Sequence, residues 1–235
     1  MPITKLHRWQ IEYTNEREYH LLKQEVFGRD HYFFETDNPA PKIIDAGAHI
    51  GLSTLYFLTH YPSAQITALE PNPHVAAMLE RNIWLNQVEN QVDVQKVALG
   101  PAAGRTELYL DSSEDQWWST SSIHPGAWSG DQTTYSLTVP VVPLSSFLFE
   151  PVDLIKLDIE GAEQAVLMEA GLALTKVDQL IVEFHPHATQ SLMALTRFLI
   201  QMGFEVTIWK KGKPVTVAQA GNALVLIRAK QTYQK

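Results

Sequence analysis

The 235-residue sequence has no cysteine, and its basic side chains are fewer than its acidic ones, with 18 Lys and Arg against 26 Asp and Glu. The lack of thiols excludes disulfide frameworks, zinc–thiolate centres, iron–sulfur clusters and a cysteine nucleophile. General nucleic-acid binding needs a basic face, because it is driven by release of counterions from phosphates. A formal net charge of −8, with the basic residues spread along the chain, therefore argues against a nucleic-acid partner.

Long hydrophobic runs are also missing. No apolar stretch approaches the roughly 20 residues that a bilayer-spanning helix requires. The N-terminal stretch MPITKLHRWQIEY lacks the apolar core of a secretory signal. We therefore expect a soluble cytoplasmic protein without a membrane partner. With 45% hydrophobic residues, the chain can form one globular core with a small addition.

Beyond residue 40, short apolar stretches alternate with helical ones. The candidate strands of this alternation are Lys42–Asp45, Gln65–Glu70, Val92–Leu99, Val152–Asp158 and Gln179–His185. The pattern predicts an α/β fold with a parallel sheet covered by helices on both faces. The last two candidate strands, Phe204–Trp209 and Ala223–Ile227, are joined without an obvious helix, so we expect the final strand to be antiparallel.

Two segments interrupt the alternation. Residues 1–40 are polar and aromatic, with a helix predicted at Asn15–Phe27, and we expect them to cover the domain formed by residues 41–235. Inside that domain, strands at Arg105–Leu110 and Leu137–Val142 flank a Trp-, Ser- and Gly-rich loop, which makes residues 104–143 an inserted hairpin. Because long irregular connections in compact domains are usually functional, we expect a lid or binding loop.

Aromatic side chains of these two segments are the candidate substrate contacts. From the loop we select Trp117, Trp118 and Ser119, and from the N-terminal segment Tyr32. Aromatic faces bind sugar rings, flat ring systems or apolar peptide side chains. The alternative is that these rings only cover the open face of the sheet.

The turn after the first strand of the domain indicates the kind of ligand. Gly47 and Gly51 allow the backbone to turn sharply from strand to helix and to approach a ligand closely. Ala46 and Ala48 stand where a dinucleotide fingerprint needs glycine, and the Gly-Lys-Ser/Thr ending of a P-loop is absent. The turn alone is weak evidence, since a tight strand–helix connection can have the same glycines.

Acidic residues at two strand ends add to it. Glu70 is placed to accept hydrogen bonds from both hydroxyls of a ribose, as in nicotinamide and S-adenosylmethionine (SAM) enzymes alike. Asp45 could face the positive amino-acid end of SAM. Because SAM has no pyrophosphate to bind, the Asp45-x-Gly47 start favours SAM over a nicotinamide cofactor.

A lysine inside an apolar strand is the most specific feature. Alternation places Lys156 and Asp158 on one face, and an unpaired buried lysine would be unfavourable. The next strand presents Glu183 and His185 on one face. We therefore predict a polar cluster of these four residues at the tops of two adjacent strands; the alternative is a purely structural ion pair between Lys156 and Glu183.

The stretches IIDAGAHIG, ALEPNP, VALG and DLIKLDIEGAE occur in this order and resemble the FkbM family of SAM-dependent methyltransferases, over roughly residues 20–185. The resemblance implies a Rossmann-like class I methyltransferase fold, with a seven-stranded, mostly parallel sheet and an antiparallel last strand. It also implies O-methylation, typically of a hydroxyl on a sugar or natural product.

The resemblance assigns roles to individual residues. It implies that Asp45, Gly47 and Gly51 line the methionine end of SAM. Asn72 and the Val97-Ala98 backbone would border the adenine. His49 stands where the family more often has Asn, so it either retunes contacts to the SAM carboxylate or is simply tolerated. The predicted cofactor-binding residues are Asp45, Gly47, His49, Gly51, Glu70, Asn72, Ala98 and Asp158.

Asp158, Glu160 and His185 would face the methyl group and are the candidate catalytic residues. Methyl transfer from a sulfonium mainly requires alignment, because the leaving group is neutral. A hydroxyl acceptor must also lose a proton, and we predict His185 as the base, since its ordinary pKa of about 6.5 suits neutral pH. A carboxylate acceptor, on a peptide or a small acid, would need only a cationic or hydrogen-bonding grip. We predict no metal, because no H-E-x-x-H or comparable spacing occurs.

Two functions of other classes are alternatives. A nicotinamide-dependent oxidoreductase would need the Gly triplet that this turn lacks. A non-catalytic SAM-binding protein would be expected to lose the strand-end acids, yet Asp45, Glu70 and Asp158 are present. We expect a small-molecule or peptide substrate, and the aromatic surface could serve a homodimer as well as a substrate.

Overall fold

The computed structural model describes residues 1–111, 121–124 and 134–232. The strands are β1 (Ile3–Leu6), β2 (Trp9–Glu12), β3 (Lys42–Ala46), β4 (Gln65–Leu69), β5 (Val92–Gln95), β6 (Ala98–Leu99), β7 (Gly104–Asp111), β8 (Thr134–Val142), β9 (Val152–Leu157), β10 (Val177–Phe184), β11 (Phe204–Lys210), β12 (Lys213–Val215) and β13 (Val225–Gln231). The α-helices are α1 (Glu16–Lys23), α2 (Leu52–His60), α3 (Pro73–Leu85), α4 (Glu163–Ala170), α5 (Leu192–Gln201) and α6 (Val217–Ala220).

The main sheet has eight strands in the order β12-β11-β13-β10-β9-β3-β4-β5. β5, β4, β3, β9 and β10 pair in parallel, whereas β13 is antiparallel to both β10 and β11. The antiparallel last strand is therefore confirmed. The eighth strand is β12, which forms a hairpin with β11 at the sheet edge and is absent from the sequence prediction.

A smaller sheet, in the order β6-β8-β7, contains the inserted hairpin. The predicted strand Val92–Leu99 is divided, because Ala98 and Leu99 pair with Val141 and Val142 of β8 instead of continuing in the main sheet. The predicted substrate residues Trp117, Trp118 and Ser119 lie outside the described residues. Within the described part of the insertion, Ser122 exchanges backbone hydrogen bonds with Tyr109 of β7.

The N-terminal segment begins with a β1–β2 hairpin that the sequence analysis did not predict. The predicted helix is present as α1, and it continues as a π-helical turn at Gln24–Gly28. The hairpin packs on α3, where the Asn82 side chain accepts a 2.7 Å hydrogen bond from the backbone N–H of Glu12. A boundary between cover segment and domain at residue 40 stays a prediction.

Helices cover both faces of the main sheet, as alternating side chains show. Ile43 and Leu154 belong to the core on the side of α2 and α3, whereas Ile44 and Ile155 belong to the core on the side of α4 and α5. The predicted two-sided burial of the parallel strands is thereby confirmed. No helix among the described residues has the length and apolar character needed to cross a bilayer.

Candidate active site

A cavity opens at the carboxyl ends of β3, β4 and β9. In this sheet the chain runs from β3 outward to β5 and then returns to β9 on the other side of β3, and such a reversal is where α/β sheets bind ligands. One wall is apolar and comes from β6, β7 and the insertion. Its residues are Val97, Ala98, Leu99, Leu108 and Ile123. The N-terminal segment also lines the cavity, with Leu22, Val26 and Tyr32.

The turn after β3 forms part of the cavity floor and requires glycine. Gly47 has φ +77°, and a Cβ at this position would lie 1.8 Å from the carbonyl oxygen of Asp158. Any side chain would therefore clash with the backbone beyond β9. Gly51, with φ +95°, begins α2 against Leu79 and does not line the cavity.

Asp45 is fully buried below this turn. Its Oδ2 accepts hydrogen bonds from Ser53 Oγ at 2.7 Å and Thr54 Oγ1 at 2.6 Å, and its Oδ1 lies 3.5 Å from Lys156 Nζ. It is not among the residues that line the cavity. The structure thus shows Asp45 anchoring the start of α2 and holding Lys156, while its predicted contact with a cofactor stays a prediction.

Glu70 stands at the end of β4 with its carboxylate in the cavity wall. Its Oε2 accepts a hydrogen bond from the His49 backbone N–H at 3.1 Å, and its Oε1 accepts one from the Asn72 N–H at 2.9 Å. Burial raises the pKa of Glu70 to about 7, against these two hydrogen bonds, which lower it. A carboxylate offers about four lone-pair sites, so Glu70 can still accept from a diol. Asn72 itself caps α3 and lies outside the cavity lining.

The predicted cluster of Lys156, Asp158, Glu183 and His185 is present, but its pairing differs from the predicted alternative. Lys156 is 2% exposed and lies 3.5 Å from both Asp45 Oδ1 and Asp158 Oδ2. It also donates a 2.7 Å hydrogen bond to the Gly47 carbonyl. Strand register explains this choice, because Lys156 is directly opposite Asp45 on β3 and opposite Ile181 on β10, two residues before Glu183. The alternative prediction, a direct ion pair between Lys156 and Glu183, is therefore wrong.

The partner of Glu183 is Tyr32 and not Lys156. Its hydroxyl lies 3.0 Å from Glu183 Oε1 and 3.3 Å from Asp158 Oδ2, so its single proton is shared between two acids. Burial, with the negative charge of Asp158, raises the pKa of Glu183 to about 8. Tyr32 lines the cavity, and its predicted contact with substrate stays a prediction.

His185 follows β10 and is surrounded by carboxylates. Its Nδ1 lies 3.0 Å from Glu163 Oε1, and its Nε2 lies 3.5 Å from Glu160 Oε2 and 3.9 Å from Asp158 Oδ1. Burial lowers its pKa, but the hydrogen bond to Glu163 and the charges of Glu160 and Asp158 outweigh burial and raise the pKa to about 10. His185 is therefore protonated at neutral pH. The argument for His185 as the base, made from its ordinary pKa, does not hold.

Glu160 is the acid of this group that lines the cavity and titrates near neutrality. Its side chain is 24% exposed, and burial raises its pKa to about 7 against the charge of His185. The backbone of Glu160 has φ +55° and is held by the Ser122 hydroxyl, which donates a 2.6 Å hydrogen bond to its carbonyl. The backbone of Glu160 is thus held in place, while its carboxylate remains accessible from the cavity.

Among the residues that the structure describes, two groups of side chains could hold a metal ion. The ligand atoms of Asp158, Glu183 and His185 lie within 4.8 Å of one another, as do those of Glu25, His31 and Glu183. The absence of a metal from the reaction stays a prediction.

Sequence reasoning missed Glu25, His31 and Glu163. Glu163 could have been found in the LDIEGAE stretch, whereas nothing in the sequence signals that the N-terminal segment reaches Glu183.

The donor set fits SAM. The apolar wall matches an adenine, the Glu70 carboxylate matches a ribose diol, and Asp158 and Glu160 match the positive charge of the sulfonium. Of the predicted cofactor residues, those that line the cavity are Gly47, His49, Glu70, Ala98 and Asp158. A parallel sheet with this strand order, an antiparallel last strand and such a cavity defines a class I methyltransferase fold.

The comparisons with known proteins make the assignment more specific. A family model described as the methyltransferase FkbM domain matches residues 45–206, and the chain belongs to this family. The SAM cofactor predicted from the sequence is thereby confirmed.

Individual relatives agree with this family. Methyltransferase 1 of Beauveria bassiana is 35% identical over 142 residues, which are 53% of this chain and 56% of the relative. The 2-O-methyltransferase NoeI of Sinorhizobium fredii is 26% identical over 63% of this chain and 65% of its own length. The crystal structure of an FkbM methyltransferase from Methylobacillus flagellatus has a TM-score of 0.57 at 18% identity, covering 84% of this chain and 46% of that one. The chain thus spans about half to two thirds of the length of these proteins.

Replacing Glu70 by Gln is expected to weaken binding of S-adenosylhomocysteine about 10- to 100-fold, because hydrogen bonds from two hydroxyls to a charged acceptor are lost. The pKa of about 7 adds a pH dependence. Below it Glu70 is mostly protonated, so wild-type affinity for 5′-methylthioadenosine, which has the ribose but no carboxylate, should rise as the pH increases from 6 to 8 and the Glu70 carboxylate ionises. Calorimetric titration over this range tests both effects; in Glu70→Gln the rise should vanish.

The exposed strand residue Asp93 supplies a matched control, since Asp93→Asn removes a carboxylate from the neighbouring β5 without touching the cavity. Its affinity and pH dependence should equal those of the wild type. Equal affinities for Glu70→Gln and Asp93→Asn would contradict the ribose assignment.

Proposed function

We propose that this chain is a SAM-dependent O-methyltransferase that transfers a methyl group to a hydroxyl of a small natural product or sugar. The observation that carries the proposal is Glu160, a cavity-lining carboxylate with a pKa of about 7, held beside a protonated His185. A hydroxyl acceptor needs such a proton acceptor, and a carboxylate acceptor does not. The name of the Sinorhizobium relative, a 2-O-methyltransferase, supports an oxygen acceptor.

SAM supplies a methyl group on a positively charged sulfur that leaves as a neutral thioether. The chain's residues align this group and receive the acceptor's proton. Asp158 places a negative charge beside the sulfonium, and its pKa stays low because Lys156 and His185 outweigh its burial. Glu160 takes the hydroxyl proton as the oxygen–carbon bond forms and the sulfur–carbon bond breaks. His185 acts as a positioning residue that holds the Glu160 carboxylate.

The scarcity of free positively charged side chains in the cavity argues against a carboxylate as the methyl acceptor. Lys156 is the only Lys or Arg side chain among the described residues that line the cavity. It is engaged by Asp45, Asp158 and the Gly47 carbonyl, so it cannot also hold an acidic acceptor. An acid would instead meet Asp158 and Glu160, which repel it.

An acceptor screen with methyl-labelled SAM tests the proposal, using sugars and hydroxylated natural products against peptides and small carboxylic acids. Labelled product should form with hydroxyl compounds, and its label should survive alkaline hydrolysis because ethers are stable to base. Label released as methanol would identify a methyl ester and contradict the proposal. A small-molecule or peptide substrate, a homodimer and a cytoplasmic location stay predictions, as does the absence of nucleic-acid and membrane partners.

A further inference from the structure

The two ring nitrogens of His49 are buried and lack hydrogen-bond partners among the described residues. It lines the cavity in the turn after β3, and its side chain is 16% exposed. A φ of +51° and the hydrogen bond from its backbone N–H to Glu70 fix the turn. Buried polar groups are almost always satisfied, so an unpaired imidazole beside a cavity points to a ligand group as the missing partner.

A second buried group lies behind the ring. Glu18 of α1, whose side chain is 4% exposed, has its Oε1 3.7 Å from His49 Nε2. Within the described part of the chain, Nδ1 has no such neighbour. The other charged groups that act on the ring are Lys156 of β9 and Asp158, which follows this strand, while Glu70, which follows β4, accepts a hydrogen bond from the His49 backbone N–H. Burial lowers the pKa of His49 despite Glu18, so the ring is neutral in the free protein at pH 7.

The position of His49 identifies which part of the cofactor it meets. The apolar wall near Val97 and Leu99 suits the adenine, and Glu70 suits the ribose. His49 belongs to the Gly47–His49 turn, and Leu22 and Val26 of the N-terminal segment close the same cavity. An adenosyl ligand arranged in this way turns its amino-acid moiety, which carries a carboxylate, toward this turn.

We propose that His49 binds the α-carboxylate of the cofactor as an imidazolium, with Nδ1 donating to that carboxylate and Nε2 donating to Glu18, so that cofactor binding takes up a proton. The proposal rests on the proposed SAM function. An imidazolium between two carboxylates satisfies both nitrogens, which a neutral ring cannot do because only one of its nitrogens is a donor. The asparagine more common at this position has no titratable group and cannot take up a proton.

Calorimetric titration in two buffers of different ionisation enthalpy measures the proton uptake directly. The probes are S-adenosylhomocysteine, its decarboxylated analogue, which keeps the ammonium, and 5′-methylthioadenosine, which lacks both charged groups. At pH 7.5 the first ligand should take up about one proton more than the other two, since only it carries the carboxylate. Any proton release from Glu70 is common to all three ligands and cancels in the comparison.

Variants separate His49 from the rest of the site. His49→Asn should abolish the extra proton and weaken binding of S-adenosylhomocysteine about 10- to 100-fold at pH 6.5, with little change for the decarboxylated analogue. Glu18→Gln should reduce the extra proton, because the second carboxylate stabilises the imidazolium. Equal proton uptake by all three ligands, or an extra proton that persists in His49→Asn, would overturn the proposal. If none of the three ligands binds the wild type, the SAM function itself fails, and the role of His49 fails with it.

Discussion

Lys156→Met is expected to lower the free energy of unfolding by about 3–5 kcal/mol, because it leaves buried carboxylates without their cation. Lys156 is the shared partner of Asp45, which is fully buried, and of Asp158. It also holds the Gly47 carbonyl at the turn on which the cavity depends. Urea denaturation of wild type and variant measures the loss.

Two further variants make this result specific. Adding Asp45→Asn to Lys156→Met removes the stranded charge, and the double variant should be more stable than Lys156→Met alone. Lys42→Met removes a half-exposed lysine that pairs with Glu150 at the surface, and it should change the free energy of unfolding by less than about 1 kcal/mol. A Lys156→Met loss as small as that of Lys42→Met would show that the buried cluster does not stabilise the fold.

Glu160→Gln is expected to lower the turnover number about 100- to 10,000-fold on the hydroxyl acceptor that the screen identifies, because an amide cannot take the proton. Its affinity for S-adenosylhomocysteine should change much less. Glu205→Gln, at an exposed position of β11, is the matched control and should retain wild-type turnover. Retention of turnover by Glu160→Gln would exclude Glu160 as the base.

The pH profile distinguishes Glu160 from His185. Glu160 accepts a proton once it is ionised, so the wild-type rate should rise as the pH passes about 7. The rate should fall again near pH 10, where His185 loses the charge that holds Glu160. If His185 were the base, the rate would instead continue to rise up to about pH 10, because only the neutral imidazole accepts a proton. His185→Ala should change the pH at which the rate first rises, and it should also lower the rate.

Much of the fold could be predicted because burial leaves a pattern in the sequence. Short apolar strands that alternate with helices indicated the parallel sheet, and the missing helix before the last strand indicated its antiparallel direction. The β1–β2 hairpin and β12 were not predicted, because their strands have only four and three residues, which is too few to show the two-residue alternation of a β-strand.

The sequence predicted which residues form the site, but it did not predict which of them pair with one another. Alternation along single strands brought Lys156, Asp158, Glu183 and His185 to one edge, as observed. The partner of Lys156 depends on register between strands, which one strand's sequence does not contain. The pKa of His185 depends on Glu160 and Glu163, which are brought to it by tertiary packing.

The central claim is that the cavity at the ends of β3, β4 and β9 holds the nucleoside, with its ribose on Glu70. A crystal structure of the protein with S-adenosylhomocysteine tests this claim most directly. We expect both ribose hydroxyls within hydrogen-bond distance of the Glu70 carboxylate, the adenine against Val97 and Leu99, and the sulfur facing Asp158 and Glu160. A nucleoside bound elsewhere, or bound here with its ribose away from Glu70, would contradict the account.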